Sequence, residues 1–163
     1  MAPYLTLGVA ESDLTFGHVV ADECARLGLR LDDYLGLYDV EAAEPYPGVA
    51  DVVDGLRHWA VCSNKVRAAG TAELARLGWH PDVARFAEDF DGEPKRLAPV
   101  LHALGSPDPS TVLFVGDTGH DRACARDTGV AFALAGWNPR AVADEGDIVL
   151  RAPDDVLKLI APA

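Results

Sequence analysis

The sequence predicts an α/β fold, a doubly wound (Rossmann-like) parallel sheet, from three observations. Short apolar runs rich in β-branched residues alternate with amphipathic stretches of helical length. Most of those stretches stop at a glycine, the common signal past a helix end. No internal repeat or linker breaks the alternation across the 163 residues, so the length reads as one domain, 1–163, with a substantial core.

Residues 4–10 (YLTLGVA) are apolar and β-prone and predict a first strand. A helix is expected from Phe16 to about Leu27, with Val19, Val20, Cys24 and Leu27 on its apolar face and Gly28 as its stop. Residues 31–40 predict a second short helix. Pro45 and Pro47 make 41–48 an extended connector. Residues 49–56 then read as a helix, and 59–63 (WAVCS) as a buried strand. Residues 71–77 read as a helix closed by Gly78, and 83–90 hold a further strand around 84–87. A helix over 95–104 is closed by Gly105, and a Pro-rich loop follows at 106–110. Residues 112–115, 131–134 and 148–150 supply three more strands. A helix starting near Ala123 ends at Gly129, and 156–160 form a closing helix.

Bulk properties exclude several functions. The formal net charge of −12, with no basic stripe, opposes binding to a nucleic-acid backbone. It does not oppose a small phosphorylated ligand that arrives with a divalent cation. No apolar run is long enough to span a bilayer, and no basic segment followed by an apolar core opens the chain. Cys24, Cys62 and Cys124 are odd in number and lack metal-ligand spacing, so they read as reduced core thiols of a cytoplasmic protein.

Four polar clusters follow predicted strands or open predicted helices, and in a parallel sheet such positions share one rim. They are Glu11-Ser12-Asp13-Leu14-Thr15, Ser63-Asn64, Lys95, and Gly116-Asp117-Thr118-Gly119-His120-Asp121. A hydroxyl and an amide at Ser63 and Asn64, with backbone N–H groups at a helix start, suit phosphate oxygens. Lys95 can neutralise a phosphoryl group. Asp117 and Asp121 admit two readings of equal weight: a site for a hard cation such as Mg²⁺, or a cap and first-turn acid of the following helix. Ser63 could likewise simply cap the helix after it. His120 reads as an exposed loop residue, and His18, His58, His80 and His102 as surface residues.

This arrangement resembles the haloacid dehalogenase-like (HAD) superfamily of phosphohydrolases over nearly the whole chain. GDTGHD, with Asp117 and Asp121, is similar to the family's fourth motif, and Lys95 in GEPKRLAPVLHALG to its third. Ser63 ending WAVCS, followed by Asn64-Lys65, is similar to the second motif in the phosphoglycolate phosphatase-like branch. The first motif, DxDx(T/V), fits only at Glu11-Ser12-Asp13-Leu14-Thr15, with Glu at the nucleophile position and Leu14 in place of a small residue.

The resemblance implies a Mg²⁺-dependent phosphatase acting on a phosphate monoester. Glu11 would be the nucleophile, Asp13 the general acid/base, and Ser63, Asn64 and Lys95 the phosphate-binding groups. Glu11, Asp13, Asp117 and Asp121 would hold the metal. Residues 16–46 leave room only for a reduced helical cap, so a second copy of the chain or a large phosphorylated substrate would have to cover the site. A glutamate is one methylene longer than the family's aspartate, and a misplacement of about 1 Å can cost roughly a hundredfold in rate. The alternative is therefore a catalytically impaired module that binds a phosphorylated small molecule or macromolecule, or a partner. A receiver-like domain, also doubly wound, needs a lysine after its phosphoacceptor aspartate, whereas Lys95 precedes Asp117.

Overall fold

In the computed structural model, which describes residues 1–15 and 17–160, the chain opens with a helix and not with the expected strand. The elements run α1 (Ala2–Thr6), α2 (Val20–Arg26), α3 (Leu31–Gly36), α4 (Val49–Gly55), β1 (Ala60–Cys62), α5 (Arg67–Leu77) and β2 (Val83–Arg85). They continue through α6 (Leu97–Ala103), β3 (Leu113–Gly116), α7 (Gly119–Thr128), β4 (Ala131–Ala135), β5 (Ile148–Leu150) and α8 (Asp155–Ile160). Phe16, the expected start of the first helix, lies outside the described residues.

The first strand fails for a local reason. Pro3 sits in the first turn of α1, where its missing N–H costs nothing. Gly8, at φ +85°, closes the segment, with Val9 N bonded to Tyr4 O and Gly8 N to Leu5 O. An N-terminal proline and a C-terminal glycine thus bracket a short apolar run whose period is ambiguous. Helix α1 turns Tyr4 inward against Tyr34, with ring centroids 4.6 Å apart.

The chain divides into two compact units. The first comprises Met1–Ala43, Cys62–His80 and Arg85–Lys95; the second comprises Glu44–Val61, Pro81–Ala84 and Arg96–Ala163. Unit 1 is cored by Tyr4, Leu14, Cys24 and Tyr34. Helix α5 carries Gly70 in its interior, where glycine normally costs about 1 kcal/mol against alanine. A Cβ there would stand 2.1 Å from Cε1 of buried Phe86, so close packing of helix on ring requires the glycine.

Unit 2 holds the parallel sheet β3–β4–β5, in register Leu113↔Ala131 through Gly116↔Leu134 and Ala133↔Ile148 through Ala135↔Leu150. Val52 of α4 and Val156 of α8 bury against Ala133 and Leu150. Arg122 on α7 forks to both carboxylate oxygens of Asp147, at 2.8 and 2.5 Å, and fastens the loop before β5. A second, two-stranded sheet pairs β1 with β2. Its flanking bonds, Asp82 N to Trp59 O and Ser63 N to Arg85 O, advance together along both strands, as in a parallel pair. The α/β class with parallel strands is therefore present. All three cysteines are free, and no described helix is long and apolar enough to cross a membrane.

The segment after α1 is pinned by one buried acid. Glu23 of α2, 4% exposed, accepts Thr15 N at 2.9 Å, the Thr15 hydroxyl at 2.8 Å and the Arg26 guanidinium at 2.7 Å. The Arg26 hydrogen bond, with those from Thr15, lowers the Glu23 carboxyl from 4.5 to about 2 against the opposing effect of burial. A depressed folded pKa stabilises the fold above pH 4.5, and that contribution drains away as pH falls toward 2. Glu23→Gln is expected to lose about 3 kcal/mol at neutral pH and to show a flatter stability profile across that window. Urea unfolding of both proteins at several pH values checks this; parallel profiles would contradict it.

Candidate functional site

At the carboxyl end of β1 the chain passes into Ser63, Asn64 and Lys65, and here unit 1 forms a cavity of about 330 Å³. Asn64 organises it. Its side chain is buried, with Nδ2 donating to Gly17 O and Oδ1 accepting from Lys95 N, both at 2.6 Å. One amide thereby gathers segments 47 and 31 residues away in sequence to the end of the strand. Ser63 Oγ accepts from Lys65 N at 3.1 Å, a local turn and not the helix cap that was the alternative. Ser63, Asn64, Lys65 and Lys95 all line the cavity.

Two expectations about helix starts need correction. Helix α5 begins at Arg67, and its first N–H is taken by both Glu88 carboxylate oxygens at 3.0 and 2.9 Å. The anion suited to that N-terminus is thus already in the fold, so phosphate recognition falls to side chains. Lys95 lies two residues before α6, outside the helix, and does not open it. It is half-buried.

Lys65 was not among the expected site residues, nor were Tyr38 and Glu73. Glu73 on α5 accepts hydrogen bonds from Lys65 Nζ through one oxygen and from the Tyr38 hydroxyl through the other. Lys65 Nζ lies 5.8 Å from the centre of the Tyr38 ring. Burial, and then the adjacent Glu73 carboxylate, push the Tyr38 phenol well above its ordinary range, so it stays a donor. Their separation in sequence hid this group; only the fold brings Tyr38 and Glu73 together.

Glu11 and Asp13 are not at a strand end. They lie on an exposed 3₁₀ turn, Glu11–Asp13. The Asp13 carbonyl, expected to bind metal, accepts the Arg26 guanidinium at 2.5 Å. Leu14 is 8% exposed in the core of unit 1, which explains why a small residue is absent there.

In unit 2, Gly116-Asp117-Thr118 turns β3 into α7. Thr118 is the N-cap, its Oγ1 accepting Asp121 N at 3.2 Å. Asp121, 2% exposed, accepts through Oδ2 from Asp117 N (3.1 Å), Thr118 N (3.0 Å) and Thr118 Oγ1 (2.7 Å). This is a reciprocal capping box, and Asp121 is its brace. Asp117 does not cap the helix; its Oδ2 accepts a hydrogen bond from Asn138 Nδ2. Asn138 was missed, because only the fold brings it to Asp117. His120 lies on the first turn of α7, half-buried, 3.6 Å from Cys124 Sγ, and is not an exposed loop residue.

The residues that the resemblance implies for a Mg²⁺ centre are divided, Glu11 and Asp13 in unit 1 and Asp117 and Asp121 in unit 2. Unit 2 offers the Asp117 carboxylate while Asp121 is committed to bracing. In unit 1 the carbonyl of Asp13 is bonded to a cation. Among the described residues, no group of three or more His, Cys, Asp or Glu side chains could hold a metal ion.

No protein-family model matches the chain, and no curated protein does. Among solved structures it is similar to the 1.50 Å crystal structure of a Lactobacillus plantarum protein described as a "putative phosphoglycolate phosphatase". The two are 22% identical, the match covers 97% of this chain and 87% of that one, and the TM-score is 0.73. At that identity the likeness establishes the fold: the chain has the α/β architecture of that protein, with parallel strands.

Proposed function

We propose that the cavity of unit 1 recognises a phosphate monoester, and that the chain binds such an ester without hydrolysing it. The double hydrogen bond of Asn64 carries the proposal, because it sets Lys95 beside Ser63 and Lys65 at the end of β1. The Lys95 ammonium, the Ser63 hydroxyl and the Lys65 ammonium, whose charge Glu73 partly offsets, suit a phosphoryl group, and hydrogen bonds to charged groups contribute about 1.5–3 kcal/mol each. The fold shared with a protein named as a phosphatase supports the ligand class.

Hydrolysis through a covalent phospho-enzyme needs a carboxylate held rigidly in line with phosphorus. Glu11 and Asp13 both sit on an exposed 3₁₀ turn, which favours recognition over turnover.

Calorimetric titration with inorganic phosphate tests the proposal. Lys95→Ala is expected to weaken binding by about ten- to a hundredfold. Because the recognising groups are cationic and hydrogen-bonding side chains, adding a chelator is expected to change the affinity by less than about twofold. Equal affinities of wild type and Lys95→Ala would overturn the site.

A further inference from the structure

The cavity has two kinds of lining. Besides Ser63, Asn64, Lys65 and Lys95 it is lined by Val20, Tyr34, Leu35 and Tyr38, from α2, α3 and the turn after it, and by Met1 and His18. The two tyrosines are held in place. Tyr34 is 6% exposed, packed on Tyr4 at 4.6 Å and on Tyr38 at 6.0 Å between ring centroids. The Tyr38 hydroxyl is anchored by Glu73, and the same carboxylate offsets the charge of Lys65. A ligand's phosphate and its organic part therefore meet different chemistry. A second anionic group beside the Tyr38 ring would meet the Glu73 carboxylate, which already occupies the Tyr38 hydroxyl and Lys65.

We propose that this cavity selects phosphate monoesters bearing a compact aromatic or apolar group, with Tyr38 as the specificity-determining residue. The selection rests on the phosphate-binding reading of the same cavity. A volume of about 330 Å³ accommodates a phosphate and one ring, at the lower end of the range for small-molecule sites. An aromatic ester would stack or pack edge-on against Tyr38 and Tyr34, whose geometry exists before the ligand arrives. Phosphoglycolate, whose organic part is a carboxylate, is disfavoured.

The test is titration of the wild-type chain with inorganic phosphate, phenyl phosphate and phosphoglycolate. Phenyl phosphate is expected to bind at least about tenfold more tightly than the other two. In Tyr38→Ala the ratio of phenyl phosphate to inorganic phosphate affinity is expected to fall below about threefold. Tyr38→Phe, which keeps the ring, retains most of the preference. If inorganic phosphate binds with Lys95 dependence but phenyl phosphate binds no more tightly, the selectivity is overturned and phosphate recognition stands. If neither binds to the folded chain, phosphate recognition itself fails. Because the wild-type comparison alone decides between these outcomes, a poorly folded Tyr38→Ala leaves the test intact.

Discussion

Gly116→Ala is expected to destabilise the protein by at least about 3 kcal/mol and to open the turn between β3 and α7. A Cβ at this position would stand 2.3 Å from Asp121 Cβ and 2.4 Å from its Cγ. Asp121 cannot move aside, because it is 2% exposed and its Oδ2 braces the N–H groups of Asp117 and Thr118. Pushing it out would leave two half-buried donors and the Thr118 hydroxyl without their acceptor, each costing about 1 kcal/mol. The midpoint of thermal unfolding should fall by roughly 10 °C for a chain of this size. The hydrogen bond from Asn138 to Asp117 should be lost with it, readable as a shift of the Asn138 side-chain amide resonances. A midpoint within about 2 °C of wild type would show that the turn has room that its geometry denies.

Asn64→Ala is expected to produce the largest loss of ligand affinity of any single side-chain truncation in unit 1. Asn64 touches no charge, yet it holds the backbone of Gly17 and of Lys95 to the end of β1. Truncation strands a half-buried carbonyl and a half-buried N–H together, a penalty of about 2 kcal/mol in stability. It also releases Lys95 from its position, so inorganic phosphate should bind at least about tenfold more weakly. The diagnostic is the Lys95 backbone amide, bonded to Asn64 Oδ1: it is expected to be protected from hydrogen exchange in wild type and to exchange freely in Asn64→Ala. Persistent protection in the variant would mean that Lys95 is positioned by something else.

Much of the fold was legible because its punctuation is local. Helices α2, α5 and α7 end where Gly28, Gly78 and Gly129 take left-handed backbone, at φ +70°, +67° and +71°. The strands around Val115, Ala133 and Val149 follow from short apolar runs between turns. Residues 4–10 misled because a seven-residue apolar run has no resolvable period; Pro3 and Gly8 were the better signal. Misplacing that strand also misplaced Glu11 and Asp13, since their expected setting depended on it.

The candidate site was partly legible for the same reason. Ser63, Asn64 and Lys95 could be read from their position near strands and helices, and all three line the cavity. Glu73, Tyr38 and Asn138 could not. Tyr38 and Glu73 lie 35 residues apart in the chain, and Asn138 lies 21 from Asp117. Such pairs are set by topology, on which a motif of neighbouring letters is silent. Glu23 illustrates the other limit. It is one acid among many on an acidic surface until the fold buries it against Thr15 and Arg26.

The central claim is recognition of a phosphate ester without hydrolysis, and phosphorus NMR of phenyl phosphate with the wild-type chain and Mg²⁺ addresses both halves in one sample. The ester resonance is expected to shift and broaden as protein is added, with no inorganic phosphate resonance growing during prolonged incubation. Growth of inorganic phosphate with wild type, lost in Glu11→Ala, would contradict the account and restore Glu11 as a nucleophile.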